Sequence, residues 1–144
     1  MIKKLTVIPL GGMNDSSLNT IEALIGKKFN MDFRFFMKGN AGFSHRENTF
    51  IDFEKTIWTI IVFENFSTIY KLTDEFASNG WGKMIPFASE LGGWHFCLCM
   101  EEKDHGSIYV NRWTDHLPEG QFLKIADSFE EFINGLKTEE ELDL

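Results

Sequence analysis

The stretch MIPFASELGGWHFCLCM, residues 84–100, indicates a strand that belongs to the core of a β-sheet. After its glycine pair, large apolar side chains recur at every second position, namely Trp94, Phe96, Leu98 and Met100. This period is typical of a β-strand that presents one face to a hydrophobic core. Pro86 marks a strand entry, and Gly92-Gly93 marks the bend that leads into the aromatic strand.

The opposite face of this strand suggests chemistry at first, because it carries His95, Cys97, Cys99 and Glu101. A zinc site needs three or four converging ligands, and Cys-x-Cys lacks the Cys-x-x-Cys turn that closes two thiolates on one ion. A thiol nucleophile can be grouped with His105, or with Asp115 and His116, but neither cysteine lies in a glycine-rich elbow. We therefore expect free thiols that act as small hydrophobes, with no metal, cofactor or catalytic residue.

The remaining chain predicts helices packed against an antiparallel sheet. Hydrophobic period and capping residues predict the helices, which span 16–26, 31–38, 67–79 and 128–137. β-branched and aromatic runs predict the strands, which span 3–10, 49–53, 56–63, 106–113 and 122–126. The polar turn EEKDHG, residues 101–106, joins the strand that ends at Met100 to the strand at 106–113, and the two form a predicted hairpin. The predicted fold is α+β, a single domain over residues 1–144 with a mainly antiparallel sheet flanked by helices.

Charge is unevenly distributed along the 144 residues, which carry a formal net charge of -8. Residues 1–50 hold seven Lys/Arg against four Asp/Glu (+3), whereas residues 51–144 hold seven against eighteen (-11). Nucleic acid and anionic membrane are disfavoured as partners, because both require clustered basic groups. The acidic groups favour a basic partner, or serve only as a solvated, solubilising surface. The longest apolar run is strand-sized and no leader pattern is present, so we expect a cytoplasmic protein.

Four segments in a fixed order resemble the SUKH superfamily, which includes the Smi/Knr-type cell-wall assembly regulator of yeast and many bacterial relatives. The segments are FNMDFRFFMKGNAG (29–42), IPFASELGGWHFCLCM (85–100), GSIYVNRWTDH (106–116) and FLKIADSFEEFINGLK (122–137). The resemblance covers residues 16–137 and is most specific from Ile85 to Leu136. It implies an α+β domain whose mixed or antiparallel sheet is wrapped by helices.

In bacteria the resemblance implies an immunity protein, which binds a toxin domain and inhibits it by occlusion without chemistry. Such toxins are often nucleases, and a basic nuclease fits the acidic charge of this chain. Loop and strand-end residues near the acidic hairpin are the expected partner contacts: Trp81, Glu101, Glu102, Asp104, Trp113, Asp115 and His116. The alternative is a regulator or scaffold of cell-wall or glucan synthesis, which shares the fold and differs in its partner. The sequence leaves the oligomeric state open.

Overall fold

A computed structural model describes Ile2 and residues 12–142. Its sheet has six strands in the order of the chain, each antiparallel to the next: β1 (Thr49–Ile51), β2 (Ile57–Phe63), β3 (Met84–Glu90), β4 (His95–Cys99), β5 (Ile108–Asn111) and β6 (Phe122–Ala126). The helices are α1 (Asp15–Ile25), α2 (Met31–Asn40), α3 (Phe66–Ser78), α4 (Phe129–Asn134) and α5 (Glu139–Leu142), and a 3-10 turn spans Pro118–Gly120. This architecture confirms the predicted α+β fold. The strand predicted for residues 3–10 lies outside the described residues.

The inner face of the sheet carries the main core. Phe96 on β4 packs 5.3 Å, between ring centroids, from Phe132 of α4, and Phe87 on β3 lies 5.9 Å from Phe33 of α2. Phe96, Leu98 and Met100 are buried there, as their alternation predicts. Trp94, the first member of that series, is only half-buried and packs against the rim of the core.

Side-chain caps define the starts of three helices. Asn14 Oδ1 accepts a 2.8 Å bond from the Ser17 amide at α1, and Asn65 Oδ1 accepts a 3.0 Å bond from the Thr68 amide at α3. Ser128 caps α4 as the sequence predicts, since its Oγ accepts from the Glu131 amide. The sequence offers Asp15, Ser16 and Ser17 as caps of the first helix and Ser67 as the cap of the third, and these predictions are wrong by one to three residues. Asparagine satisfies orphan helix amides as well as serine does, so nearby capping residues compete.

Pro86 lies inside its strand, as the third residue of β3, and not at the entry. It pairs with Cys97 of β4, and the register shifts immediately afterwards, between Pro86 and Ala88. Proline has no amide hydrogen for a ladder bond, so a proline within a sheet is accommodated best beside such a bulge. The bulge directs Phe87 and Ala88 into the core together.

The outer face of β3 and β4 is also covered, which local alternation did not predict. Met84, Cys97 and Cys99 pack there beneath Leu72 and Phe76 of α3. Neither cysteine forms a disulfide, and both are buried, so they pack as small hydrophobic residues. The centre of the sheet is therefore buried on two sides, and only its flanks have outer side chains open to solvent.

Candidate protein-binding surface

A second, smaller hydrophobic cluster lies on the outer face of the sheet, between α3 and β6. Its buried members come from α3, β3 and β4, and four half-buried aromatic side chains cover it: Trp81, Tyr109, Trp113 and Phe122. Phe76 is fully buried at its centre, with its ring centroid 4.9 Å from Trp81 and 5.5 Å from Trp113. The four outer rings thus rest on a packed base while keeping one side toward solvent.

Trp81 reaches this cluster from the loop between α3 and β3. Its neighbours Gly80 and Gly82 both have positive φ, at 79° and 81°, which glycine adopts without strain. At Gly82 an added Cβ would collide with the Glu101 carboxylate, whose Oε1 accepts a 2.9 Å bond from the Lys83 amide. Glycine is therefore required at this position, and it brings the tryptophan loop against the acidic turn.

Trp113 is held in a conformation that large side chains rarely adopt, with φ at 52°. Its amide donates to Asn111 Oδ1 at 3.1 Å, and its indole Nε1 donates to the Gly93 carbonyl at 3.2 Å. These bonds hold the ring 6.1 Å from Trp81, so the two predicted tryptophans are brought together. Strained backbone of this kind is found preferentially at functional positions.

The acidic turn after β4 adjoins the aromatic rings. Asp104, with φ at 61°, accepts a 2.6 Å bond from the Tyr109 hydroxyl and lies 3.5 Å from Lys124 Nζ. The Tyr109 hydrogen bond, followed by the charge of Lys124, lowers the pKa of Asp104, so its carboxylate stays ionised at neutral pH. Glu102 is exposed, and Glu101 is half-buried against Gly82. Three of the predicted acids therefore lie in one turn beside the aromatic cover.

The last two predicted contacts, Asp115 and His116, are placed elsewhere. The Trp94 indole donates a 2.8 Å bond to Asp115 Oδ2, and the His116 ring lies 5.8 Å from Trp94, edge to face. Arg112 lies 5.9 Å over the same indole and donates to the Gly120 carbonyl. Asp115 and His116 are exposed, but they pack around Trp94 at the opposite end of the β4–β5 hairpin from the acidic turn.

Sequence reasoning missed Tyr109 and Phe122, which complete the aromatic cover. Tyr109 faces outward with Cys97, its partner across β4 and β5, and Phe122 is the first residue of β6. A signal for Tyr109 is present, because it lies between Ile108 and Val110, which both face the inner core, so strand alternation places its side chain on the opposite face. Nothing local marks Phe122, whose contact with Trp81 at 5.5 Å joins distant parts of the chain.

Burial shifts the pKa of the cysteine and histidine side chains that lie beneath this surface. Burial raises the pKa of the Cys97 and Cys99 thiols, so neither is poised as a thiolate nucleophile. Burial lowers the pKa of His95, whose Nδ1 has no hydrogen-bond partner within the described structure. Across residues 12–142, histidine, cysteine and carboxylate side chains form no group of three or more that could hold a metal ion.

We define the acidic aromatic surface as Trp81, Tyr109, Trp113 and Phe122 together with Glu101, Glu102 and Asp104. It combines half-exposed indole and phenol rings, which dominate protein interfaces, with carboxylates that attract basic groups.

Within the described part of the chain, no helix is long and apolar enough to cross a membrane.

Comparison with known proteins supplies a family. No curated protein matches the chain. A family model of the SUKH type, described as SMI1-KNR4 cell-wall, matches residues 15–133. The match includes all six strands, the first three helices and α4 up to Ile133, and thus the whole acidic aromatic surface. The chain belongs to the SMI1-KNR4 family of the SUKH superfamily.

Proposed function

We propose that this protein is an immunity protein, a single cytoplasmic domain that binds a basic toxin domain and neutralises it by occlusion. Family membership supports a protein-binding role of the immunity or regulator type. The observation that carries the proposal is the half-exposed Trp81–Trp113 pair, in which the Trp81 loop adjoins the acidic turn through Gly82 and Glu101. In this account the protein is not an enzyme and needs no cofactor.

The aromatic pair would supply most of the affinity. Large rings at the centre of an interface bury much apolar area while losing little conformational entropy, and they account for many binding hot spots. Trp81 and Trp113 are already seated on Phe76, so they do not need to be ordered when the partner docks. Preorganisation of this kind lowers the free-energy cost of association.

The carboxylates would supply rate and selectivity. Glu102 and Asp104 are exposed, and the segment 51–144 carries a net charge of -11 from seven basic and eighteen acidic residues. A field of this sign accelerates encounter with a basic nuclease and repels acidic competitors. Asp115 and His116 are proposed as peripheral contacts, because they are exposed at the far end of the same hairpin.

The test is protection from a toxin domain encoded in a neighbouring gene, which this proposal expects to exist. Co-expression with that toxin domain should restore growth, and purified protein should inhibit the toxin at a one-to-one ratio. Trp113→Ala should weaken the complex about 30-fold or more, since truncating a hot-spot residue costs about 2 kcal/mol or more. Affinity is measured by calorimetry or by surface plasmon resonance.

Phe35→Ala is the matched control for Trp113→Ala. Phe35 is an aromatic side chain with 66% exposure on α2, away from the acidic aromatic surface, so its loss should leave affinity unchanged. Equal affinities for wild type, Trp113→Ala and Phe35→Ala would remove the acidic aromatic surface from the proposal. Absence of any inhibition would remove the immunity function itself.

A regulator or scaffold of cell-wall or glucan synthesis is the second candidate, favoured by the cell-wall description of the matching family. This role, like immunity, requires no catalytic chemistry, and it would use the same kind of binding surface. Capture of partners from the native cell separates the two. Recovery of wall-synthesis proteins alone, with no toxin gene adjacent, would replace the immunity function by this one.

A further inference from the structure

The outer face of the β1–β2 hairpin exposes an unusual amount of apolar surface. We define the isoleucine surface as its five strongly exposed members, with their exposed fractions: Ile51 (39%), Phe53 (72%), Ile57 (62%), Ile61 (45%) and Leu91 (66%). Scattered exposed apolar residues are normal, whereas a contiguous patch marks an interaction site. Contiguity therefore decides what these residues signify.

Strand pairing makes these side chains neighbours. Ile51 and Ile57 are direct partners across β1 and β2, while Phe50 and Trp58, the next pair, point into the core. Ile57, Thr59 and Ile61 stand at alternate positions of β2 and therefore share its outer face. Ile61 lies at a register shift between Ile60 and Val62. The Leu91 amide donates to the Thr59 carbonyl at 3.0 Å, which ties Leu91 to the same part of β2. Phe53 stands in the turn after β1.

The patch is large and uncharged. The exposed fractions correspond to on the order of 500 Å² of apolar area, as large as the largest patch on a typical monomer. A stable interface buries about 800 Å² on each partner, around an apolar centre and a polar rim. The isoleucine surface therefore suffices as the centre of such an interface, with the exposed Glu54 and Lys55 available around it.

A second copy of the chain is the occupant that this chemistry fits. None of the five side chains carries a carboxylate. The negative charge that attracts a basic toxin to the acidic aromatic surface therefore gives no selectivity at the isoleucine surface. An apolar patch needs another apolar patch to exclude water from both, and a two-fold axis brings the same patch from each copy. We propose that the isoleucine surface is the interface of a symmetric dimer.

The dimer forms face to face and not by strand addition. At the outer edge of β1, Thr49 exchanges backbone bonds with Lys137, donating at 3.1 Å and accepting at 2.9 Å. That edge is thus already occupied at Thr49 in a strand of three residues. β1 and β2 stand at one end of the sheet order, and β4 to β6 stand at the other. Dimerisation therefore leaves the acidic aromatic surface open in both copies.

The mass of the protein in solution tests this proposal. Sedimentation of the wild-type chain at about 100 µM, near physiological ionic strength, should give twice the monomer mass of 16.7 kDa, and dilution should return it to one chain. Ile57→Lys should remain at 16.7 kDa at the same concentration, because two-fold symmetry places the new charge in the apolar interface of both copies.

Phe35→Lys is the control, since it adds the same charge at a side chain of similar exposure outside the isoleucine surface. It should stay dimeric. Phe53→Ser, in the turn, is a second variant that leaves the strands unaltered, and it should also lower the dimer fraction. A wild-type chain that is monomeric at 100 µM, or a Phe35→Lys chain that dissociates as Ile57→Lys does, would overturn the proposal. Toxin inhibition is measured separately, so its outcome does not bear on the dimer.

Discussion

The two flanks of the outer sheet face differ in both packing and charge. On the β4–β6 flank, half-buried rings rest on Phe76 and adjoin the carboxylates of the 101–104 turn. On the β1–β2 flank, Ile57 and Phe53 are more than half exposed, and the isoleucine surface has no charged member. The outer face of one sheet thus presents two surfaces with different physical signatures. Added salt should weaken the binding of a basic partner at the acidic aromatic surface. Dimerisation through the isoleucine surface should instead depend on protein concentration.

The largest difference between the flanks should appear in stability. Phe76→Ala removes a fully buried ring that supports both Trp81 and Trp113, and such a deletion costs about 3–5 kcal/mol in the free energy of unfolding. Ile57→Ser alters a side chain with 62% exposure and should cost less than about 1 kcal/mol. Chemical denaturation of the two variants, at a concentration where both are monomeric, measures the difference. Similar costs for both would mean that the aromatic cover has no packed base.

How far the sequence predicted this contrast depends on the range of the interactions involved. Alternation along Trp94 to Met100 correctly predicted the inner face, because strand geometry fixes it within the segment. Burial of Cys97 and Cys99 on the other face was not predicted, since Phe76 and Phe122, which cover that side, lie on α3 and β6. Local period reports which side chains share a face, but not what packs against it.

The candidate surface shows the same division. The sequence predicts Trp81 as a contact from its loop position and Trp113 from its strand-end position, and both reasons are local. Their separation of 6.1 Å is a tertiary result that depends on the positive φ of Gly82 and of Trp113. Asp115 was selected by the same strand-end reasoning, yet its carboxylate is engaged by Trp94. Whether any of these residues contacts a partner stays a prediction.

A smaller effect should distinguish the flanks by pH. Burial lowers the pKa of His95, which lies 5.2 Å from Trp113, although the Glu75 carboxylate opposes the shift. Below the ordinary histidine value of 6.5, the unfolded chain therefore takes up a proton that the folded chain resists, so stability falls as pH falls. His95→Gln removes this contribution, and its unfolding free energy should decline less than that of the wild type from about pH 7.5 to about pH 5.5. Parallel declines would contradict a desolvated, neutral His95.

The most direct test is the salt dependence of binding to a basic toxin domain encoded in a neighbouring gene, the partner that the proposed function expects. Affinity and association rate are measured for wild type, Glu102→Gln and Glu139→Gln from low to high ionic strength. Glu102 belongs to the acidic aromatic surface, whereas Glu139, on α5, is an equally exposed carboxylate outside it. The account predicts slower association for the wild type as salt rises, and a weaker salt response for Glu102→Gln than for Glu139→Gln. An affinity that hardly changes with salt, or identical responses from the two variants, would contradict it.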